Sequence, residues 1–367
     1  MKVRRIPELE SLRGLMALWV MLGHVYLTLP RADLPLLGAV LARNGEAVNV
    51  FIILSGFVIF NLLDHERRGF RPYIIRRFFR IFPAYLLLLL VSAALLGVAE
   101  AAFSDPLWRS ARNDGRLGIL ADTRAHFEAH MLAHLQLLQG MVPSRLLPSA
   151  EYAILGQAWS ISLEWQFYLV APLCFGAIRR DPARGTLAVA AIATAAFFAL
   201  RYAAGEGFLP AAVPYFMVGG ASYFLWKVHA ALPAAAVAAA TPVLAVLAAM
   251  LGAPAMGLWC AVLGCVMLEQ LRPGLWLPGL VGGLLRQPVL LWLGAISYSL
   301  YLVHMIPVVV AIRLMPPSLA AAPWQGLYLL ATVTGASLLL SALIFHAVER
   351  PGIALGQRLA GARPQAA

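Results

Sequence analysis

The sequence predicts an all-α bundle of about ten transmembrane helices with both termini in the cytoplasm. Three observations carry this. Of the 367 residues, 61% are hydrophobic and only 12% are charged. Mean hydropathy is +0.79, where a soluble domain is roughly half apolar and a quarter charged. The apolar residues also gather into runs that suffice to cross a bilayer, which takes about 20 residues at a rise of 1.5 Å each. These runs lie near 12–29, 45–63, 82–102, 158–178, 186–203, 209–226, 232–251, 254–271, 288–312 and 323–348.

The first run follows a basic flank, as in a signal peptide (MKVRRIPELESLRGLMALWV). It lacks a small-x-small cleavage site and carries Arg13 and His24, so it reads as a retained first helix. An arginine-dense segment, DHERRGFRPYIIRRFFRI at 64–81, leads into the third run, and 103–157 is the single long outside connection. Within that connection His126, His130 and His134 recur every four residues. The spacing suits a metal, but only Glu128 offers a nearby carboxylate, and the expectation is an interfacial or re-entrant helix with a polar histidine stripe. Residues 1–352 are expected to form one membrane domain, and 353–367 a short cytoplasmic tail.

Orientation follows from charge. With the N-terminus inside, eighteen of the 28 Lys and Arg residues fall in inside segments, as the positive-inside rule requires. That placement also accounts for the net charge of +11 and removes the case for nucleic-acid binding. Cys174, Cys260 and Cys265 all sit in apolar stretches and read as buried small hydrophobes, not a disulfide framework.

Ionisable groups inside spans cost a few kcal/mol on insertion scales, so each needs a reason. Arg13 and His24 are eleven residues apart, which returns to within about 20° of one face and separates them by about 16 Å along the axis. A guanidinium suits a phosphate, and an imidazole suits proton transfer. A long phosphorylated carrier could therefore lie along this stripe. Arg76, Arg77 and Arg80 form either a phosphate cradle or a topology signal beside anionic lipid. Glu164, in GQAWSISLEWQFYL, either orients a catalytic histidine, as carboxylates do in triads, or makes a scaffold ion pair. His304 is a weaker candidate that also fits a helix-packing role. Glu269 reads as structural, snorkelling or paired with Arg272. The sequence contains no P-loop, GxSxG, HExxH or paired CxxC, which leaves an ATP-driven pump or zinc protease without support.

Six segments together resemble the integral membrane acyltransferase 3 family. They are LESLRGLMALWVMLGHVY with its Arg13-x10-His24 spacing, FIILSGFVIF at 51–60, IIRRFFRIFPAYLLL at 74–88, WSISLEWQFYL at 159–169, ISYSLYLVH at 296–304 and HAVERP at 346–351. They span essentially the whole chain in the family's order. The resemblance implies a multi-pass enzyme of the bacterial inner membrane that moves an acyl group, often acetyl, from acyl-CoA to a hydroxyl of a surface glycan or glycolipid. It implies His24 as catalytic histidine and Arg13 with Arg77 and Arg80 at the CoA phosphates. Trp165 stands where many members carry a second acidic residue, which leaves Glu164 as the candidate carboxylate there. Ser55, Tyr301, His304 and Glu349 lie in matching segments as accessory candidates. The combined reading is direct acyl transfer with His24 as general base, Glu164 supporting it, and Arg13, Arg76, Arg77 and Arg80 holding the donor. The expected partners are acyl-CoA, the glycan acceptor and the lipid bilayer, with no resident cofactor and no metal. The rival reading is a solute transporter with an in-membrane His/Glu/Arg relay.

Overall fold

The structure is a computed structural model that describes residues 6–29, 35–66, 69–320 and 324–361. Lys2, Arg4, Arg5, Arg31, Arg67, Arg68 and Arg363 of the charge count, and residues 362–367 of the tail, lie outside the described residues. Among those described, every regular element is helical. The helices are α1 (Pro7–Thr28), α2 (Pro35–Ala42), α3 (Asn44–His65), α4 (Phe70–Ala94), α5 (Leu96–Ser104), α6 (Ala111–Ala125), α7 (Phe127–Leu135), α8 (Trp159–Arg180), α9 (Pro182–Leu200), α10 (Leu209–Val228), α11 (Ala234–Met250), α12 (Pro254–Leu271), α13 (Trp276–Leu285), α14 (Pro288–Val303), α15 (Met305–Leu314), α16 (Pro317–Ala320), α17 (Gln325–Ile344) and α18 (Arg350–Leu359).

Local chemistry sets many of the boundaries. Pro7, Pro182, Pro254 and Pro288 each open a helix, where the missing N–H costs nothing and the fixed φ already suits the helix. Glu8 and Glu10 in the first turn of α1 complement its dipole. Gly69, at φ 84°, turns the chain into α4. That helix starts twelve residues before the apolar run at 82–102, so Arg76, Arg77 and Arg80 sit on a helix and not in a loop.

Among the described residues five helical segments are long and apolar enough to cross a membrane, and up to seven if two bent pairs each count as one span. Those pairs are α4 with α5, bent by 56°, and α13 with α14, bent by 57°. The run at 288–312 is itself interrupted, because the helix breaks at His304 between α14 and α15. A π-turn over Phe345–Glu349 joins α17 to α18. Such a wide turn shifts the side-chain register, and here Glu349 falls on the buried side while His346 stays exposed.

Helix α1 packs along α14 and α3, and α3 along α10. The α1–α14 crossing depends on glycine. A Cβ on Gly14 would meet the Gly294 nitrogen at 2.6 Å, and one on Gly294 would meet the Glu10 carbonyl oxygen at 2.2 Å. Small residues are how helices approach closely in a membrane, where no hydrophobic force distinguishes protein from lipid. Only 6% of the apolar window of α9 is buried, so α9 is peripheral and presents Leu187, Ile192 and Phe198 outward. Glu269 pairs with Arg286 (2.9 and 2.5 Å), not with Arg272 as the sequence suggested, and Arg286 also holds Glu8 at 2.9 Å. This ties α1 to α12 and the α13–α14 bend.

Candidate functional site: two cavities on either side of Tyr301

Arg13 and His24 share one uninterrupted helix and face inward, but they line different cavities. The smaller, about 110 Å³, is bounded by Arg13 of α1, Ser55 of α3, Arg77 and Arg80 of α4, Ser160, Glu164 and Tyr168 of α8, and Tyr298 and Tyr301 of α14. The larger, about 620 Å³, contains His24 with Asn44, Arg112, Arg116, Tyr152, Gln157, Glu206 and Tyr301. Its floor is apolar, with Val20, Val48, Phe103 and Ile306 among the lining residues. Tyr301 belongs to both. Its hydroxyl lies 2.7 Å from Ser160 Oγ and donates to the Gln157 carbonyl at 2.8 Å, while the Gln157 amide donates to the Leu302 carbonyl at 2.5 Å. A Tyr301–Ser160–Gln157 partition thus divides the cation end of the stripe from the imidazole end.

In the smaller cavity most arginines already have anionic partners. Arg13 contacts Glu10 at 3.3 Å, and Arg76, off the cavity, pairs with Glu66. Arg80 pairs with Glu349, whose side chain is fully buried and also accepts from Ser299 Oγ at 2.6 Å. The Arg80 guanidinium lies 5.4 Å from the Tyr298 ring centroid, an aromatic face that attracts cations. Arg77 differs. Its guanidinium lies 5.6 Å over the Tyr168 ring, and its Nε is buried without a hydrogen-bond partner. Glu164 accepts from Ser55 Oγ at 3.1 Å and from the Tyr168 hydroxyl. It therefore sits in the cavity that His24 does not line, and the sequence expectation that it orients His24 finds no contact here.

The neighbour of His24 is His304, with ring centroids 5.1 Å apart. His304 Nδ1 lies 2.8 Å from the Tyr301 carbonyl oxygen. Because a carbonyl only accepts, Nδ1 carries the proton, and the buried Nε2, which has no partner, holds the lone pair. The second neighbour is Arg116 of α6, whose Nη2 lies 3.5 Å from His24 Nδ1. Arg116 Nη1 donates to Thr28 Oγ1 at 2.6 Å and to Asn113 Oδ1 at 2.9 Å. Burial, with Arg112 adding to it, pulls this guanidinium down to about 9, so it remains charged at neutral pH.

Sequence reasoning missed Arg116, Arg112 and Asn113. The signal available was an Arg-x3-Arg pair on an amphipathic helix in the outside connection, which by itself looks like any solvated helix face. The histidine stripe also came out differently. His130 and His134 are fully buried, with Tyr85 Oη 3.2 Å from His134 Nδ1 and donating to the His134 carbonyl at 2.8 Å. Burial takes His134 down to about 3. Two of the three histidines are therefore buried, His134 against Tyr85 of α4, while His126 remains exposed. Among the described residues no three His, Cys, Asp or Glu side chains cluster as a metal site.

A family profile described as an acyltransferase domain matches residues 6–346. The chain is 28% identical over 188 residues to Acyltransferase MdmB of Streptomyces mycarofaciens. That stretch covers 50% of this chain and 42% of the relative's own length. No solved structure shows a significant match.

Proposed function

From the premise that this chain belongs to the acyltransferase family whose domain covers residues 6–346, and is thus an acyltransferase of the non-aminoacyl kind, we propose that it moves an acetyl or similar acyl group from acyl-CoA to a hydroxyl of an envelope glycan or glycolipid. One observation carries this reading: a single helix puts Arg13 into one cavity and His24 into another, and Tyr301 lines both. The proposed setting is the bacterial inner membrane, with about ten crossings, both termini cytoplasmic, a membrane domain at 1–352 and a cytoplasmic tail at 353–367.

The donor's phosphates meet Arg13 and Arg77 on the cytoplasmic side. Arg77 is the natural first contact, since its guanidinium has no ion pair among the described residues, and Arg13 gives up only an exposed-edge contact to Glu10. Arg76 and Arg80 support the site through Glu66 and Glu349. Glu164, held by Ser55 and Tyr168, offsets the cations before the donor arrives. A cavity of about 110 Å³ holds only a few waters at about 30 Å³ each. Donor entry therefore requires the Tyr301–Ser160 contact to part so that the pantetheine arm reaches His24.

The chemistry at His24 balances as general-base acyl transfer. The acceptor hydroxyl gives its proton to His24 while its oxygen attacks the thioester carbonyl carbon. The C–S bond then breaks, and the departing thiolate takes the proton back from His24, leaving an O-acyl ester and free CoA thiol. His304 stands beside His24 as the group able to accept a hydrogen bond from the imidazolium during that cycle.

Reconstitution in lipid nanodiscs with labelled acetyl-CoA and purified envelope glycan tests this. The expected result is transfer that His24→Ala abolishes. No transfer by the native protein overturns the reaction, and undiminished transfer by properly inserted His24→Ala protein overturns His24 as its base. Cysteine accessibility from each side of the membrane tests the ten-span, both-termini-inside topology.

A further inference from the structure

The larger cavity contains a guanidinium, that of Arg116, which no carboxylate among the described residues neutralises. Among the described residues Arg116 makes no ion pair, and the charged group that acts on it is another cation, Arg112. A half-buried charge without a counter-charge is costly and persists where it has work to do. The simplest such work is to tie α6 to the end of α1, and Nη1 does this through Thr28 and Asn113. That role leaves Nη2 unexplained. Nη2 points instead at the imidazole of His24, 3.5 Å from Nδ1.

The direction of donation is fixed. A guanidinium has no acceptor, so the His24 nitrogen that faces it bears the lone pair and the proton sits on Nε2. The nitrogen able to accept a proton and the Nη2 donor therefore face each other across a long contact that a hydroxyl oxygen can replace. An oxygen at ordinary hydrogen-bond distance, about 2.8 Å from each nitrogen, replaces this long 3.5 Å contact once the guanidinium and the imidazole turn from each other toward it. Arg116 is also held rigidly. Asn113 is anchored to the Thr28 and Trp108 carbonyls at 3.0 and 2.6 Å, and the Phe103 ring lies 5.1 Å from the guanidinium carbon. Donors fixed in advance where charge develops are the most effective electrostatic catalysts.

We propose that Arg116 is a catalytic residue: the acceptor hydroxyl oxygen docks between its Nη2 and Nδ1 of His24, and the guanidinium stabilises the negative charge that grows on that oxygen as His24 takes its proton. This rests on the acyl-transfer reading above. The balance is that of the transfer step. The O–H proton goes to Nδ1, the oxygen forms the new C–O bond, the C–S bond breaks, and Nδ1 returns the proton to the leaving thiolate. Arg116 donates a hydrogen bond throughout and never gives up a proton.

The test compares Arg116→Gln, Arg116→Lys, Arg116→Ala and His24→Ala in nanodiscs, with acetyl-CoA as donor and purified envelope glycan as acceptor. Thermal melting is measured on each protein. Arg116→Gln and Arg116→Ala should lower kcat by about 100- to 1,000-fold, with KM for acetyl-CoA within about threefold of native. Arg116→Lys should fall between them and the native enzyme, because it keeps the charge and loses the fork geometry. Added methylguanidine should restore about tenfold to Arg116→Ala and nothing to His24→Ala, a pattern that a purely structural tie does not produce. The proposal is overturned if Arg116→Gln keeps kcat within about fivefold of native. It is equally overturned if the loss in Arg116→Ala tracks a collapsed melting temperature and resists methylguanidine. Absence of transfer by the native protein would instead sink the acyl-transfer reading itself, and retained turnover by His24→Ala would remove His24 as the base, so the failures are told apart by which protein stays active.

Discussion

The two cavities treat their arginines in opposite ways. In and beside the smaller one Arg13, Arg76 and Arg80 are matched to Glu10, Glu66 and Glu349, and Arg77 has no ion pair among the described residues. Beside the larger one, Arg116 meets hydroxyl, amide and imidazole groups and, among the described residues, pairs with no carboxylate. A balanced cluster suits reversible holding of a multiply charged donor, because its ion pairs can exchange partners at little net cost. An unbalanced cation suits a negative charge that exists only briefly, since any permanent partner would weaken it.

Separating the two cavities by mutation should show this difference as a kinetic split. His24→Ala has the largest expected effect, a fall in kcat of about 1,000-fold or more with acyl-CoA binding retained. Binding of a non-hydrolysable CoA thioether by calorimetry, beside steady-state rates, checks it, and a matching loss of affinity would merge the two cavities into one functional unit. Arg80→Ala comes next and should act on stability. It strands the fully buried Glu349 carboxylate, which costs about 3–5 kcal/mol and lowers the melting temperature in detergent. Replacing both partners by apolar residues should recover much of that loss, and failure to recover would mean that Arg80 has a duty beyond neutralising Glu349.

Gly294→Ala is the third test. Its new methyl would press on the Glu10 carbonyl and push α1 away from α14, at a cost of about 1–3 kcal/mol. Because α1 carries both Arg13 and His24, KM and kcat should worsen together, unlike either point change at the sites. Arg77→Ala should be the mildest, raising KM for acyl-CoA about tenfold with kcat nearly unchanged. If Arg77→Ala lowers kcat instead, the division into a holding cavity and a reacting cavity is wrong.

The parts of the site visible in sequence were those set by local periodicity. Arg13 and His24 fall on one face of one helix because eleven residues are close to three helical turns, and α1 runs unbroken through both. The early start of α4 was open in the sequence, since the arginines interrupt the apolar pattern without ending the helix. The partner of His24 was not legible. Glu164 is the evident mid-span carboxylate, yet α8 turns it toward Ser55 and Tyr168. His304 comes beside His24 through the break between α14 and α15. Arg116 approaches from 92 residues further along the chain, on a helix whose composition is ordinary.

Composition and hydropathy alone determined that the chain is a helical bundle rich in apolar segments, and 3.6-residue periodicity alone determined that a cation and an imidazole share a stripe. Both depend on contacts within a few residues, which a linear pattern records. Which charge meets which was decided by the tertiary structure. The Gly14–Gly294 approach sets how near α1 lies to α14, the π-turn rotates Glu349 onto Arg80 across 269 positions, and Tyr301 falls where it divides two cavities. Those outcomes depend on crossing angles and helix breaks, and no spacing within one segment encodes them.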